Sequence, residues 1–287
     1  MSIKVILVPV TDEAASAQAI GLALMIAKSF QAHLIGLHMR PDPHASMADV
    51  AAQVPAQALE QIVTHAQGQL DDRSITARQL FAGMCATQST KLLDQTTTGA
   101  GASASWQERM GDPAHLIPLA GRLADMLVVA KPPAGGDGGL AEIAIDAIFS
   151  TGRPVVLAPE AEVVSVGKRL VIAWNRSAEA ARTVAAALPF IVRAEHVLVL
   201  SAGTQMPHGP SAADLARYLK HHGVAAEIAW IKDGIRPEKV VLSRAQEMGA
   251  DLIVMAAYSR SRLRERILGG FTRYMLQHTT VPLFMTR

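Results

Sequence analysis

The chain has 287 residues, half of them hydrophobic, 18% charged and only 4% aromatic. That composition excludes disordered, collagenous and fibrous classes, and at roughly 150 residues per domain the length predicts two domains. The 27 basic and 25 acidic residues leave a formal charge of +2 and a pI near 8.8. No polybasic run or aromatic–basic interleaving marks a nucleic-acid surface.

Cys85 is the sole cysteine. A disulfide framework within the chain is excluded, a cysteine zinc site is disfavoured, and a buried, inert thiol is expected. The short apolar opening before Asp12-Glu13 is too brief for a signal peptide, and no apolar run approaches the ~18 residues of a membrane span. These features predict a soluble, cytoplasmic protein.

In chain order, Val5–Val10 is a continuous apolar run with β-branched residues, the pattern of a strand buried on both faces. Asp12 and Ser16 can cap a following helix that carries Ala17, Ile20, Leu24 and Ala27 at helical spacing to about Phe30. His33–Met39 gives the next strand, completing a βαβ unit. Segment 41–105 is rich in Ala and Gln, with helical patches at roughly 55–70 and 76–94 and a Thr/Gly/Ala/Ser tract at 96–105. It predicts one or two helices with a mobile connection. Trp106, Gly111, the strand at Ala124–Ala130 and the strand at Pro154–Leu157 follow.

The same series is then written again. Leu170–Asn175 is a strand, Ser177 opens an Ala-rich helix, and His196–Leu200 is the second strand. Trp230, Gly234, a helix from Pro237 to before Gly249, Ala250–Ala256 and Thr280–Phe284 complete it. Five landmarks in one order make the chain a tandem duplication. About 37 extra residues in the first copy fall within 41–105. The predicted domains are 1–160 and 168–287, with the boundary near Pro159–Gly167. Alternating strands and helices imply a parallel sheet of about five strands in each half, with ligand sites beyond the strand carboxyl ends.

Beyond the fourth strand of the second copy, a loop of small residues and arginines reaches Gly269-Gly270, where a helix bearing Phe271, Met275 and Leu276 begins. Backbone N–H groups at such a helix start form an anion site, although paired glycines equally serve a tight turn. Thr272 could cap the helix or touch a phosphate. Arg260, Arg262, Arg264, Arg266 and Arg273 surround the loop; they fit either a solvated surface or an anion-attracting mouth.

Ile6-Leu7-Val8-Pro9, Ala250–Met255, Gly269-Gly270-Phe271-Thr272 and His278–Phe284 together resemble a tandem universal stress protein over both halves. The resemblance implies two flavodoxin-like (adenine nucleotide alpha hydrolase-like) α/β domains in an internal pseudo-dimer, with last strands Val155–Leu157 and Pro282–Met285 paired across the domain boundary. ATP-binding members of that family carry Gly-x2-Gly-x9-Gly-Ser/Thr after the fourth strand and an Asp after the first. Here those positions are Ala256, Ser259, Gly269 and Gly270, and the Asp falls at Asn175 or, in the first half, Thr11. The first half's loop, Lys131–Gly139, has glycines but not the spacing, and two prolines without N–H groups.

Cβ atoms at 256 and 259 stand where backbone should approach phosphate. Replacing a charge-assisted bond by a neutral one costs about 1 kcal/mol. The expectation is a stress-response protein whose ATP or AMP site, in the second half, is weak or degenerate. By the family pattern Asn175 faces the ribose, Ala202 and Met255 line the adenine pocket, Ser259 stands in the loop motif, and Gly269, Gly270 and Thr272 hold phosphates. The rival expectation is a nucleotide-free scaffold acting through protein contacts, with homodimerisation open. No catalytic dyad, nucleophile elbow, P-loop or metal motif appears, so an enzyme is not expected. His221-His222 suit a helix carboxyl end, and His115 and His278 suit local partners.

Overall fold

The computed structural model describes residues 2–11, 14–43, 55–93, 101–132, 139–202, 209–232, 234–257 and 269–287. The first half runs β1 (Val5–Pro9), α1 (Ala14–Phe30), β2 (His33–Arg40), α2 (Ala56–Thr87), β3 (Lys91–Leu92) and β4 (Ser103–Met110). It continues through α3 (Pro113–Gly121), β5 (Met126–Ala130), α4 (Gly139–Ser150) and β6 (Val155–Ala158). The second half runs β7 (Arg169–Trp174), α5 (Ala178–Ile191), β8 (His196–Ala202), α6 (Ala212–His221) and β9 (Ala226–Ile231). It closes with α7 (Pro237–Glu247), β10 (Leu252–Ala256), α8 (Gly270–His278) and β11 (Leu283–Thr286).

All eleven strands form one sheet, in the order β3-β4-β2-β1-β5-β6-β11-β10-β7-β8-β9. Pairing is parallel within each half. The halves meet where β6 and β11 pair antiparallel, with Phe284 opposite Val156. Each half is thus a flavodoxin-like α/β unit, and β1, β5, β6, β7, β10 and β11 are buried on both faces, as their apolar runs predict.

The duplication extends to hydrogen bonding. Asp125 Oδ2 accepts from the Lys4 and Val5 N–H groups at 2.7 and 2.9 Å. Asp251 Oδ1 accepts from Lys168 and Arg169 N–H at 3.0 and 2.9 Å. In each half an aspartate just before the fourth long strand thereby fixes the start of the first. Ser177 caps α5 through Ala180 N–H, and Pro237 stands in the first turn of α7, both as the sequence suggests.

The inserted segment differs from expectation. Its two helical patches fuse into the single 32-residue α2, followed by the two-residue β3, so the first half has six strands rather than five. Nothing between the patches breaks a helix: Asp71–Ile75 contains neither Gly nor Pro. Ala77, Phe81 and Cys85, four apart, are all buried and anchor one stripe to the sheet. Gly36 of β2 makes this approach possible, because a Cβ there would lie 2.6 Å from the Phe81 ring. The helix ends at Thr87, short of 94, where Ser89 takes a φ of 52°. Residues 103–105 of the tract read as a connection belong to β4; 94–100 lie outside the described residues. Burial raises the Cys85 thiol pKa to about 11, which keeps it protonated and inert.

Candidate functional site

In each sheet half the chain leaves the first strand in one direction and later returns to its other side. This places a strand-order reversal between β1 and β5, and another between β7 and β10. Crevices beyond the strand carboxyl ends at such points are where ligands bind in open α/β sheets.

At the first crevice the described residues are engaged in contacts within the protein. Thr11, just after β1, donates its N–H to Ser16 Oγ at 2.9 Å, and its hydroxyl shares a hydrogen bond with the same Oγ at 2.9 Å. His38 Nδ1 lies 2.8 Å from the Val10 carbonyl. Lys131, directly after β5, is buried and turned toward the second half, with Nζ 3.4 Å from the Thr279 carbonyl and 3.7 Å from Glu160.

The second crevice gathers most of the residues singled out from the sequence. Asn175 is exposed at the end of β7, and Ala202 is exposed at the end of β8. Met255 and Ala256 close β10, both buried. Gly269 is the N-cap of α8, and among the described residues no side chain, Thr272 included, caps this helix. A Cβ at Gly270 would meet nothing within 4 Å among the described residues. Thr272 itself is buried at 1% exposure, pointing into the protein rather than across the helix mouth. Ser259, Arg260, Arg262, Arg264 and Arg266 lie outside the described residues; Arg273 is exposed on the first turn of α8.

The geometry also limits this site. Asn175 Oδ1 accepts from Ser177 N–H at 3.1 Å and Ser177 Oγ–H at 2.7 Å, so its amide oxygen is engaged at the start of α5. The Glu179 carboxyl, in the first turn of α5, is held below its usual range by its own backbone N–H and then by Arg182 and Ser177. An ionised carboxylate already complements that helix start, whereas α8 has no side-chain cap among the described residues.

Three further residues shape the crevice and were not singled out from the sequence. Trp174 is buried at the end of β7 and donates through Nε1 to the Pro210 carbonyl at 3.0 Å. Arg176 adopts a φ of 64°. Gly209, at φ +114°, lies so close that a Cβ would come 2.5 Å from the Arg176 carbonyl oxygen. Segment 209–211 is thus pinned against the end of β7. The one available signal was Gly209-Pro210-Ser211, a turn ahead of the Ser211–Asp214 capping box.

A cleft of about 320 Å³ lies at the opposite, amino end of β7–β9, between Arg169, His196, Glu227 and Arg244. Within it Arg244 pairs with Glu247 at 2.9 Å and Arg169 donates to the Met248 carbonyl at 3.1 Å. His278 is satisfied by the Tyr274 carbonyl at 2.9 Å, and His115 lies 3.6 Å from Asp112. Among the described residues no group of three His, Cys, Asp or Glu could hold a metal ion, and no helix is long and apolar enough to cross a membrane.

Solved structures of low sequence identity share this fold along the whole chain. A universal stress protein from Archaeoglobus fulgidus is 14% identical, with a TM-score of 0.68 over 99% of this chain and 98% of that one. A putative universal stress protein from Pseudomonas aeruginosa is 16% identical, with a TM-score of 0.55 over 99% and 93%. A functionally unknown protein from the same species is 18% identical, with a TM-score of 0.55 over 99% and 92%. No curated protein matches the chain. The model of the universal stress protein family matches twice, at residues 2–141 and 168–287. The chain therefore belongs to the universal stress protein family, with two of its units in tandem.

Proposed function

We propose that this universal stress protein is a regulatory binding module of the stress response, cytoplasmic and without catalytic activity, carrying one weak adenine-nucleotide site for ATP or AMP in its second half. The observation that carries the reading is the crevice between β7 and β10, bordered by Asn175 and Met255, with α8 starting at Gly269-Gly270 without a side-chain cap among the described residues. In this reading the phosphate group meets the N–H groups at the start of α8, the adenine lies near Ala202 and Met255, and the two halves behave as an internal pseudo-dimer. Asn175 contributes through its amide nitrogen, since its oxygen is engaged with Ser177.

The test is restoration. Ser259→Gly together with Gly270→Ser rebuilds two of the lost family positions, and ATP affinity measured by equilibrium dialysis should rise by about tenfold, or ~1.4 kcal/mol. Unchanged affinity counts against the reading. The alternative, a nucleotide-free scaffold acting through protein contacts, is favoured by one observation: the Trp174–Pro210 bond holds segment 209–211 against the strand end where a base would approach.

A further inference from the structure

Among the described residues the sheet has two unpaired edges, and they are built differently. At one end β3 is only two residues long and begins with Lys91, a short and charged edge of the kind that discourages pairing. At the other end β9 has six residues, no strand partner on its outer side among the described residues, and a run of apolar side chains. Ile228 is 37% exposed and Trp230 50% exposed, and Ile235 just beyond is exposed as well. Ile228 and Trp230 are two apart and so share one face, the face on which Val199 and Ser201 of β8 stand beside them. Helix α6 leaves both uncovered at the rim. A long, apolar edge strand of this type is a template for another strand.

We infer that β9 is the docking edge for a second copy of this chain, pairing antiparallel with β9 of its partner about a twofold axis perpendicular to the sheet. Such an axis sets a residue opposite itself. With Ala229 on the axis, Ile228 stands opposite the partner's Trp230, and the reverse, so two indoles and two branched side chains form one cluster on one face. In this register Glu227 faces Ile231, Lys232 faces Ala226, and no like charges meet. Moving the axis to Trp230 would instead set Ile228 against Lys232. The sequence of β9 is therefore self-complementary in the register centred on Ala229.

The chain already uses this kind of join, since its own halves meet through the antiparallel pairing of β6 with β11. A second copy continues the sheet in the same direction through the same bonds. A six-residue edge with few flanking contacts falls near or below the ~1,200 Å² at which specific interfaces begin, so association is reversible, with a dissociation constant on the order of 10–100 µM.

Sedimentation velocity on the full chain, from about 5 to 500 µM, reads this directly. The expected result is a monomer–dimer equilibrium that Trp230→Lys abolishes, while Leu92→Lys on the opposite edge leaves it unchanged. Circular dichroism and urea unfolding of both variants verify that each is folded. Register is read by cross-linking with diamide as oxidant: Ala229→Cys should couple to its own copy and Glu227→Cys should not. A wild-type chain that stays monomeric throughout would overturn the inference and leave the edge for a foreign strand. Association that survives Trp230→Lys, or equal coupling at 227 and 229, would overturn it too.

Discussion

Asn175 Oδ1 sits 2.7 Å from Ser177 Oγ and 3.1 Å from Ser177 N. A residue that the family pattern assigns to a ligand is here also a piece of helix-start architecture. An Asp at the same place could keep both bonds and add a charged acceptor. Asn175→Asp should therefore raise ATP affinity about fivefold, equivalent to ~1 kcal/mol, as measured by calorimetric titration. Unchanged or weaker binding would show that residue 175 does not reach the ligand.

Gly36 and Phe81 give a prediction on stability. A Cβ at 36 would overlap the Phe81 ring at 2.6 Å, and both residues lie where α2 settles on the sheet. Gly36→Ala should destabilise by about 1–3 kcal/mol in urea unfolding, and adding Phe81→Leu should recover part of that loss. Additive losses would mean that the two do not touch.

The paired aspartates predict symmetry. Asp125 and Asp251 each accept from two backbone N–H groups at the start of the first strand of their half. Replacing either by Ala orphans those donors and should cost about 2 kcal/mol in denaturant unfolding, somewhat more at Asp251, which also accepts from Ser165 Oγ at 2.8 Å. A cost confined to one half would contradict the equivalence of these bonds.

His33 gives the pH dependence. It is buried between Ser103 Oγ at 2.8 Å and Ser105 Oγ at 2.9 Å, and burial lowers its pKa below 6.5. Above 6.5 the imidazole is neutral in both states and contributes no slope. Below 6.5 the unfolded chain takes up a proton that the folded chain resists, so stability falls as pH drops from 6.5 toward the folded pKa. His33→Asn should flatten the urea midpoint between pH 6.5 and 5 relative to the parent. An unchanged slope would assign the pH dependence to other groups.

Much of this molecule was readable from apolar pattern alone. Val5–Pro9 and Leu252–Ala256 are continuous apolar runs because both faces of those strands are covered, and the Asp125 and Asp251 landmarks recur because they make the same bonds. Helix α2 was legible as helix but not as one piece. Its polar middle carries no apolar signal, and it is held by Phe81 against a glycine 45 positions earlier in the chain. The crevice residues Asn175, Met255 and Gly269 were assigned through the resemblance to the universal stress protein pattern. Trp174 and Gly209 were missed, since the contact that matters joins a strand end to a later turn and leaves no periodic trace. Thr272 has the right chemistry for a phosphate, but its position in the first turn of α8 buries it.

Isothermal titration of the full chain with ATP and with AMP tests the central claim most directly. One saturable site per chain is predicted, with a dissociation constant on the order of 100 µM, lost when Gly269-Gly270 is replaced by Pro-Pro in a variant whose circular dichroism is unchanged. No heat with either nucleotide up to about 1 mM, or two equal sites per chain, would contradict the assignment of one surviving site to the second half.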